Sequence, residues 1–166
     1  MPDLTPDCAA CAALCCVALA LDKGPRFGLD KPAGLPCPNL AHHRCTIHER
    51  LDAQGFSGCT AYDCRGAGQR TIALFDGQSW RDNPTLLPAQ SETFGNVRRL
   101  HDLLELLTLA DRLPLTPSEQ ATRTALMAEI TAPLTPARAA TLASGPLPQR
   151  ARAFLQALRP HAMQAG

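Results

Sequence analysis

The sequence predicts a mainly α chain. A small, irregular, cysteine-rich N-terminal region stapled by metal, with a short hairpin, is followed by a helical bundle-like C-terminal part. Three observations carry this. All eight cysteines fall between Cys8 and Cys64 of a 166-residue chain. Aromatics make up only 4%, so a core must come from Leu, Ala, Ile and Val, which suits helices better than a sandwich. From Ser91 onward the apolar residues recur at helical spacing. The expected division is residues 1–80 as a cysteine-cluster metal-binding domain and residues 81–166 as a helical domain, within the length range that such a pair requires.

The elements follow in order. The uncharged stretch Cys8–Leu21 resembles a signal-peptide apolar core, yet Asp3 and Asp7 precede it where a basic segment belongs, and no Ala-x-Ala-type site leads into an evident mature start. At 14 residues it is too short to span a bilayer. The expectation is a cytoplasmic chain, whose clustered thiols act as metal ligands and not as disulfides. Phe27 and Leu29 alternate with polar neighbours ahead of the turn material Lys31–Gly34, which predicts a short strand or hairpin. Thr46–Gln54 reads as a helix ending at Gly55. Thr71–Leu74, with β-branched Thr71 and Ile72, reads as a strand closed by Asp76-Gly77.

The strongest helix runs from Ser91 to Leu113. Phe94, Val97, Leu100, Leu104 and Leu107 keep the i, i+3, i+4 rule, and Leu103, Leu106 and Leu109 widen the stripe. Beyond it, Pro114-Leu115-Thr116-Pro117 and Pro133-Leu134-Thr135-Pro136 each precede an Ala-rich segment. A threonine hydroxyl accepts an orphan amide, and a proline at the first helical position lacks the amide that would go unpaired. Both motifs therefore read as helix starts in a bundle, and Thr116 with Glu119 fits a capping box. Leu147–Leu158 makes the last helix, with Phe154, Leu155 and Leu158 facing inward.

The cysteines carry the chemistry. Cys8 and Cys11, two residues apart, suit one tetrahedral ion, because the intervening backbone turns both sulfurs toward a point. Cys15 and Cys16 are adjacent and diverge by about 100° if helical, so one joins Cys8 and Cys11 while its neighbour serves another ion or a bridge. Cys37, Cys45, Cys59 and Cys64 must approach through folding. Eight thiolates fill either two four-sulfur sites or one polynuclear site with shared ligands. His48, three residues after Cys45, is the histidine placed to join them. His42 and His43 read as solvent-exposed turn residues, and His101 beside the apolar stripe as structural. Zn²⁺ is the default ion for closed sulfur sites, and iron or an iron–sulfur cluster is the alternative. Arg65 and Arg70 are expected near the thiolates as counter-charges, and Asp63 as a turn-stabilising carboxylate.

These residues resemble two known groups. The words Cys8-Ala9-Ala10-Cys11 with Cys15-Cys16, Asp30-Lys31-Pro32-Ala33-Gly34, Cys37-Pro38-Asn39-Leu40, Cys45-Thr46-Ile47-His48, Gly55-Phe56-Ser57-Gly58-Cys59 and Tyr62-Asp63-Cys64-Arg65-Gly66-Ala67-Gly68-Gln69 are similar to the N-terminal cysteine region of some bacterial pentapeptide-repeat proteins. More loosely they resemble the YkgJ-like zinc- or iron-chelating cysteine-cluster family. The resemblance covers about Asp7 to Gln69 and implies metal ligation by the matched cysteines. The chain departs from it in having His48-Glu49-Arg50-Leu51 where the family has an aromatic residue and an Arg-Pro pair, and helices where pentapeptide repeats would follow.

Other functions find little footing. A formal charge of +1 provides no field to recruit nucleic acid or an anionic membrane. Gly66-Ala67-Gly68 is too short for a dinucleotide fingerprint, and no phosphate loop is present. The expected function is a non-catalytic zinc-binding protein whose helical part is a scaffold or a surface for a protein partner. The alternatives are an iron–sulfur or iron-dependent redox accessory, and a metal storage or transfer protein.

Overall fold

The structure, a computed structural model, describes residues 1–164. It is mainly α with one short hairpin. The elements run α1 (Leu14–Ala18), β1 (Leu40–Ala41), β2 (Arg44–Cys45), α2 (Ser57–Ala61), α3 (Ala67–Ala73), α4 (Leu87–Leu109), α5 (Pro117–Thr131), α6 (Pro136–Ser144), α7 (Leu147–Ala157) and α8 (Arg159–Gln164). No helix among the described residues is long and apolar enough to cross a membrane.

Helix α4 is the axis. Its stripe Phe94, Val97, Leu100, Leu104 and Leu107 is wholly buried, and α1, α3, α5, α6 and α7 all pack on it. It begins at Leu87, earlier than Ser91, because Pro84–Leu86 forms a 3₁₀ turn that Asn83 caps by accepting from the Thr85 amide. The stripe is narrower than its leucine content suggests, with Leu103 buried but Leu106 and Leu109 in solvent. The two Thr-Pro starts form as the sequence predicts. Thr116 and Glu119 make a reciprocal capping box on α5, and the Thr135 hydroxyl accepts from the Arg138 amide on α6. In α7 the buried face is Leu147 and Ala151, with Leu158 following it. Phe154 and Leu155 are half-buried against the core.

Three local expectations are corrected. Residues 71–74 are not a strand: Thr71 and Ile72 lie within α3, where the Thr71 hydroxyl donates back to the Ala67 carbonyl at 2.8 Å. Thr46–Gln54 is not a continuous helix but a 3₁₀ turn at His48–Arg50 followed by turns, although Gly55 does close them at φ +80°. The hairpin ladder lies at β1 and β2, where Leu40 pairs with Cys45 and Ala41 with Arg44. Around Phe27 and Leu29 the chain makes two isolated antiparallel bridges, Leu21 with Lys31 and Gly24 with Phe27.

The cysteine region and the helices share an apolar core. Leu14 and Ala67 are buried in one cluster with the α4 stripe, and the Trp80 indole donates to the Ala12 carbonyl at 2.9 Å. A second, smaller cluster of Leu21, Leu51 and Phe56 supports the loops. Truncating Leu14 to Ala is expected to cost about 2–5 kcal/mol, the range for a buried leucine. The urea midpoint of the full chain measures it, and a loss below about 1 kcal/mol would show that α1 is not anchored through this side chain.

Candidate functional site

Each cysteine is presented by a different local device. Asp7 accepts from the Ala9 amide at 2.9 Å and the Ala10 amide at 3.3 Å, making the turn that carries Cys8 toward Cys11. Next, Ala12 and Ala13 both adopt left-handed backbone, at φ 50° and 56°. This conformation costs an alanine roughly 1–2 kcal/mol. The two residues are held there by burial, and they turn the chain sharply into α1, which bears Cys15 and Cys16. The segment around Cys37 is laced to α1: the Gly34 amide donates to the Val17 carbonyl at 2.9 Å and the Cys37 amide to the Cys16 carbonyl at 3.0 Å.

The later cysteines arrive on three further supports. Cys45 lies on β2, across a turn in which His42 and His43 have φ of 47° and 60°, the double positive φ of a tight two-residue hairpin. Cys59 sits in α2, and the Cys64 carbonyl accepts from the Ala67 amide at the start of α3. Gly68 lets α3 pass close to Cys11, since a Cβ there would stand 2.6 Å from the Cys11 Cβ.

The result is convergence. All eight cysteines line one cavity of about 480 Å³, walled otherwise by apolar side chains such as Leu19, Phe27, Ile47, Phe56 and Phe94. All eight are free. The adjacent pair does not split as the helical angle predicts: the Cys15 and Cys16 sulfurs are 4.0 Å apart and both face the cavity. The sulfur–sulfur edge of a tetrahedral zinc site with bonds of ~2.3 Å is about 3.8 Å, so this pair is already near ligand spacing. Elsewhere the arrangement is open, and no three His, Cys, Asp or Glu among the described residues are grouped to hold an ion as they stand. The donors suit a thiophilic ion, and ligation requires the side chains to turn inward.

Burial raises part of the thiol set above the ordinary cysteine range. It pushes Cys11 up to about 11 and raises Cys8 and Cys59. Cys15 is raised by its contact with the Cys16 sulfur and then by burial. Such thiols are poor nucleophiles, because the thiolate is the reactive form.

The counter-charge is not where the sequence suggests. Neither Arg65 nor Arg70 lines the cavity: Arg65 pairs with Asp63 at 2.5 Å and Glu105 at 3.0 Å, and Arg70 borders a separate cavity beside His101. The reason is local, since Asp63 caps the turn at the Arg65 amide and draws the guanidinium to itself. The nearby buried cation is Lys31, only 4% exposed. Its ammonium donates to the carbonyls of Val17, Leu19, Pro32 and Leu35 at 2.5–3.2 Å, with no carboxylate among these partners. Burial lowers its pKa, and the neighbouring Cys37, Cys16 and Cys15 oppose that shift. A lysine among Asp, Pro and Gly reads as loop, so its burial carried no signal in the sequence.

The histidines divide. His48 lines the cavity. His42 is exposed, but His43 is not a free surface residue: it lines the cavity and stands edge-on to Trp80 at 4.7 Å. His101 is structural, and its Nδ1 donates to the Arg65 carbonyl at 2.5 Å from a buried position. Tyr62, also on the cavity wall, has a buried hydroxyl without a hydrogen-bond partner among the described residues, and Arg98 stacks 5.7 Å over its ring.

Fold and site thus define a mainly α chain built around a cysteine-walled cavity. No protein-family model matches it, and no solved structure does. Over 104 residues, 61% of the chain, it is 41% identical to the uncharacterized protein YybG of Bacillus subtilis strain 168. The match covers 37% of that protein, so the chain spans well under two thirds of the relative's length.

Two variants test these supports. Lys31→Met removes the ammonium from four carbonyls, leaving those of Leu19 and Leu35 without this donor while Val17 and Pro32 keep the Gly34 and Leu35 amides, and is expected to destabilise the chain by about 1–3 kcal/mol, read from denaturant midpoints; an unchanged midpoint would contradict the clamp. His101 is held below the usual histidine range by burial first, then by Arg70 and Arg98, against the pull of the Arg65 carbonyl. The unfolded chain therefore takes up a proton at higher pH than the folded one. Stability from this group is complete above about pH 6.5 and declines as pH falls below it. His101→Asn is expected to flatten the stability profile between about pH 7 and pH 5, as followed by thermal unfolding.

Proposed function

We propose that the chain is a non-catalytic metal-binding protein in which the cavity thiols hold zinc. The single observation that supports this reading is the meeting of eight free thiols, drawn from 57 residues of sequence, on the wall of one cavity. Cysteine placed only to fill a core would point into packed side chains, not into shared open space. Zinc is the favoured ion because closed sulfur sites without an open ligand position are its usual structural setting. The bound ion would cross-link α1, the hairpin, α2 and the start of α3, and binding energy becomes folding energy. Cys8, Cys11, Cys15, Cys16, Cys37, Cys45, Cys59 and Cys64 are the proposed ligands, with His48 at the rim. Reduced thiols of this density suit the cytoplasm. Helices α5 to α7 serve as scaffold or as the surface for a protein partner.

Anaerobic purification with elemental analysis and visible absorption tests the assignment. The expected result is bound zinc and a colourless protein; iron with visible absorption would overturn zinc in favour of a redox centre. Chelation is further expected to reduce helicity and open the N-terminal region to protease. Unchanged circular dichroism and proteolysis after complete metal removal would sink the structural role.

A further inference from the structure

We propose that Cys15 and Cys16 form a dithiol site that captures a trivalent arsenical carrying one carbon substituent, with both sulfurs bound to the same arsenic. The site needs two thiols and no metal ion, so it stands apart from the zinc reading above.

The pair is already set for it. Neighbours on a helix diverge by about 100°, yet these two sulfurs stand 4.0 Å apart and both face the cavity. Leu14 before them and Val17 after them are fully buried, so the turn that presents the pair is fixed at both ends. Once one thiol has bound arsenic, the other closes on it within the same turn, at an effective concentration that two independent thiols do not reach. Little has to be ordered for that closure.

The chemistry suits the wall. Two arsenic–oxygen bonds break and two arsenic–sulfur bonds form; each thiol proton leaves with the departing oxygen as water, arsenic stays trivalent and no electron is transferred. The product carries no charge, so an apolar cavity that is costly for an ion accepts it. Room for the carbon substituent is present too. The pair faces a cavity of about 480 Å³ that Leu19, Phe27 and Phe94 also line, within the range of about 300–1,000 Å³ usual for small-molecule sites. Inorganic arsenite has three oxygens to replace, and no third His, Cys, Asp or Glu among the described residues is grouped with the pair to take the last position. Carbon fills that valence instead.

The reduced full-length chain, its zinc content measured beforehand, is to be treated with one equivalent of phenylarsine oxide and analysed by native mass spectrometry with fragmentation of the intact adduct. One arsenical per chain is expected, its mass confined to Cys15 and Cys16, released by 1,2-ethanedithiol and retained against the same concentration of 2-mercaptoethanol. Cys15→Ser and Cys16→Ser are each expected to bind it about 10²–10⁴-fold more weakly, through loss of the second attachment. Mass placed on another cysteine pair, or release by the monothiol, would overturn the site, and inorganic arsenite held as tightly as phenylarsine oxide would overturn its preference for a carbon substituent. A chain that holds zinc but takes up no arsenical would overturn the dithiol site alone, whereas the expected adduct on a chain without zinc would support it and leave only the zinc reading to fail. Fragmentation and release are read on the unmutated chain, so the test stands even where a serine variant fails to fold.

Discussion

Helix α1 is a single turn, and a helix of five residues does not persist by itself. It is held from two sides. Leu14 and Val17 are fully buried, Leu14 in the cluster with the α4 stripe, and from the other side the Lys31 ammonium gathers the carbonyls of Val17 and Leu19 together with those of Pro32 and Leu35. A short helix ends with unpaired carbonyls, and here a buried cation satisfies two of them. The same four bonds fix the loop that brings Cys37 against Cys16. Three of the eight thiols thus take their position from one lysine and one leucine, and the rest of the cavity wall is assembled around them.

The apolar wall and the thiol chemistry are two sides of one arrangement. A cavity lined by leucine, phenylalanine and isoleucine raises the cost of a thiolate: burial pushes Cys11 up to about 11, and contact with the Cys16 sulfur followed by burial raises Cys15. On the proposed reading, a divalent ion would reverse that preference by supplying the charge that the wall withholds. The left-handed pair Ala12 and Ala13 fits this picture, because strained backbone persists only where surrounding packing fixes it, and here it lies between Cys11 and Cys15.

What could be read from the sequence was whatever rests on local rules. The Thr-Pro starts of α5 and α6 formed because capping depends on residues within one turn, and α4 formed because its apolar spacing matches its buried stripe. The hairpin turn was hidden for the opposite reason: positive φ at two positions is signalled by Asn or Gly, and this turn uses His42 and His43. Thr71–Leu74 has strand-forming residues, but a strand needs a partner to bond, and α4 offers an apolar surface instead; packing prevailed over β propensity. The clustering of the thiols was legible from their density, whereas the cation behind them was not, since Arg65 is claimed by Asp63 two residues before it and by Glu105 on α4, 40 residues further along the chain.

The same distinction explains why the cavity takes its shape from elements that carry no cysteine. Phe94 on α4 forms part of its wall, Trp80 ties the following loop to Ala12, and Gln90, fully buried, accepts from the Trp80 amide and donates to the Gln78 carbonyl. These bonds close the loop between α3 and α4 and set how near α4 stands to α1. A cysteine cluster detached from α4 would keep its thiols but lose the surface against which Leu14 is buried. Nothing would then fix where α1 points. The helical part is for that reason a component of the site's geometry, since Leu14 and Ala67 are buried in the same apolar cluster as the α4 stripe.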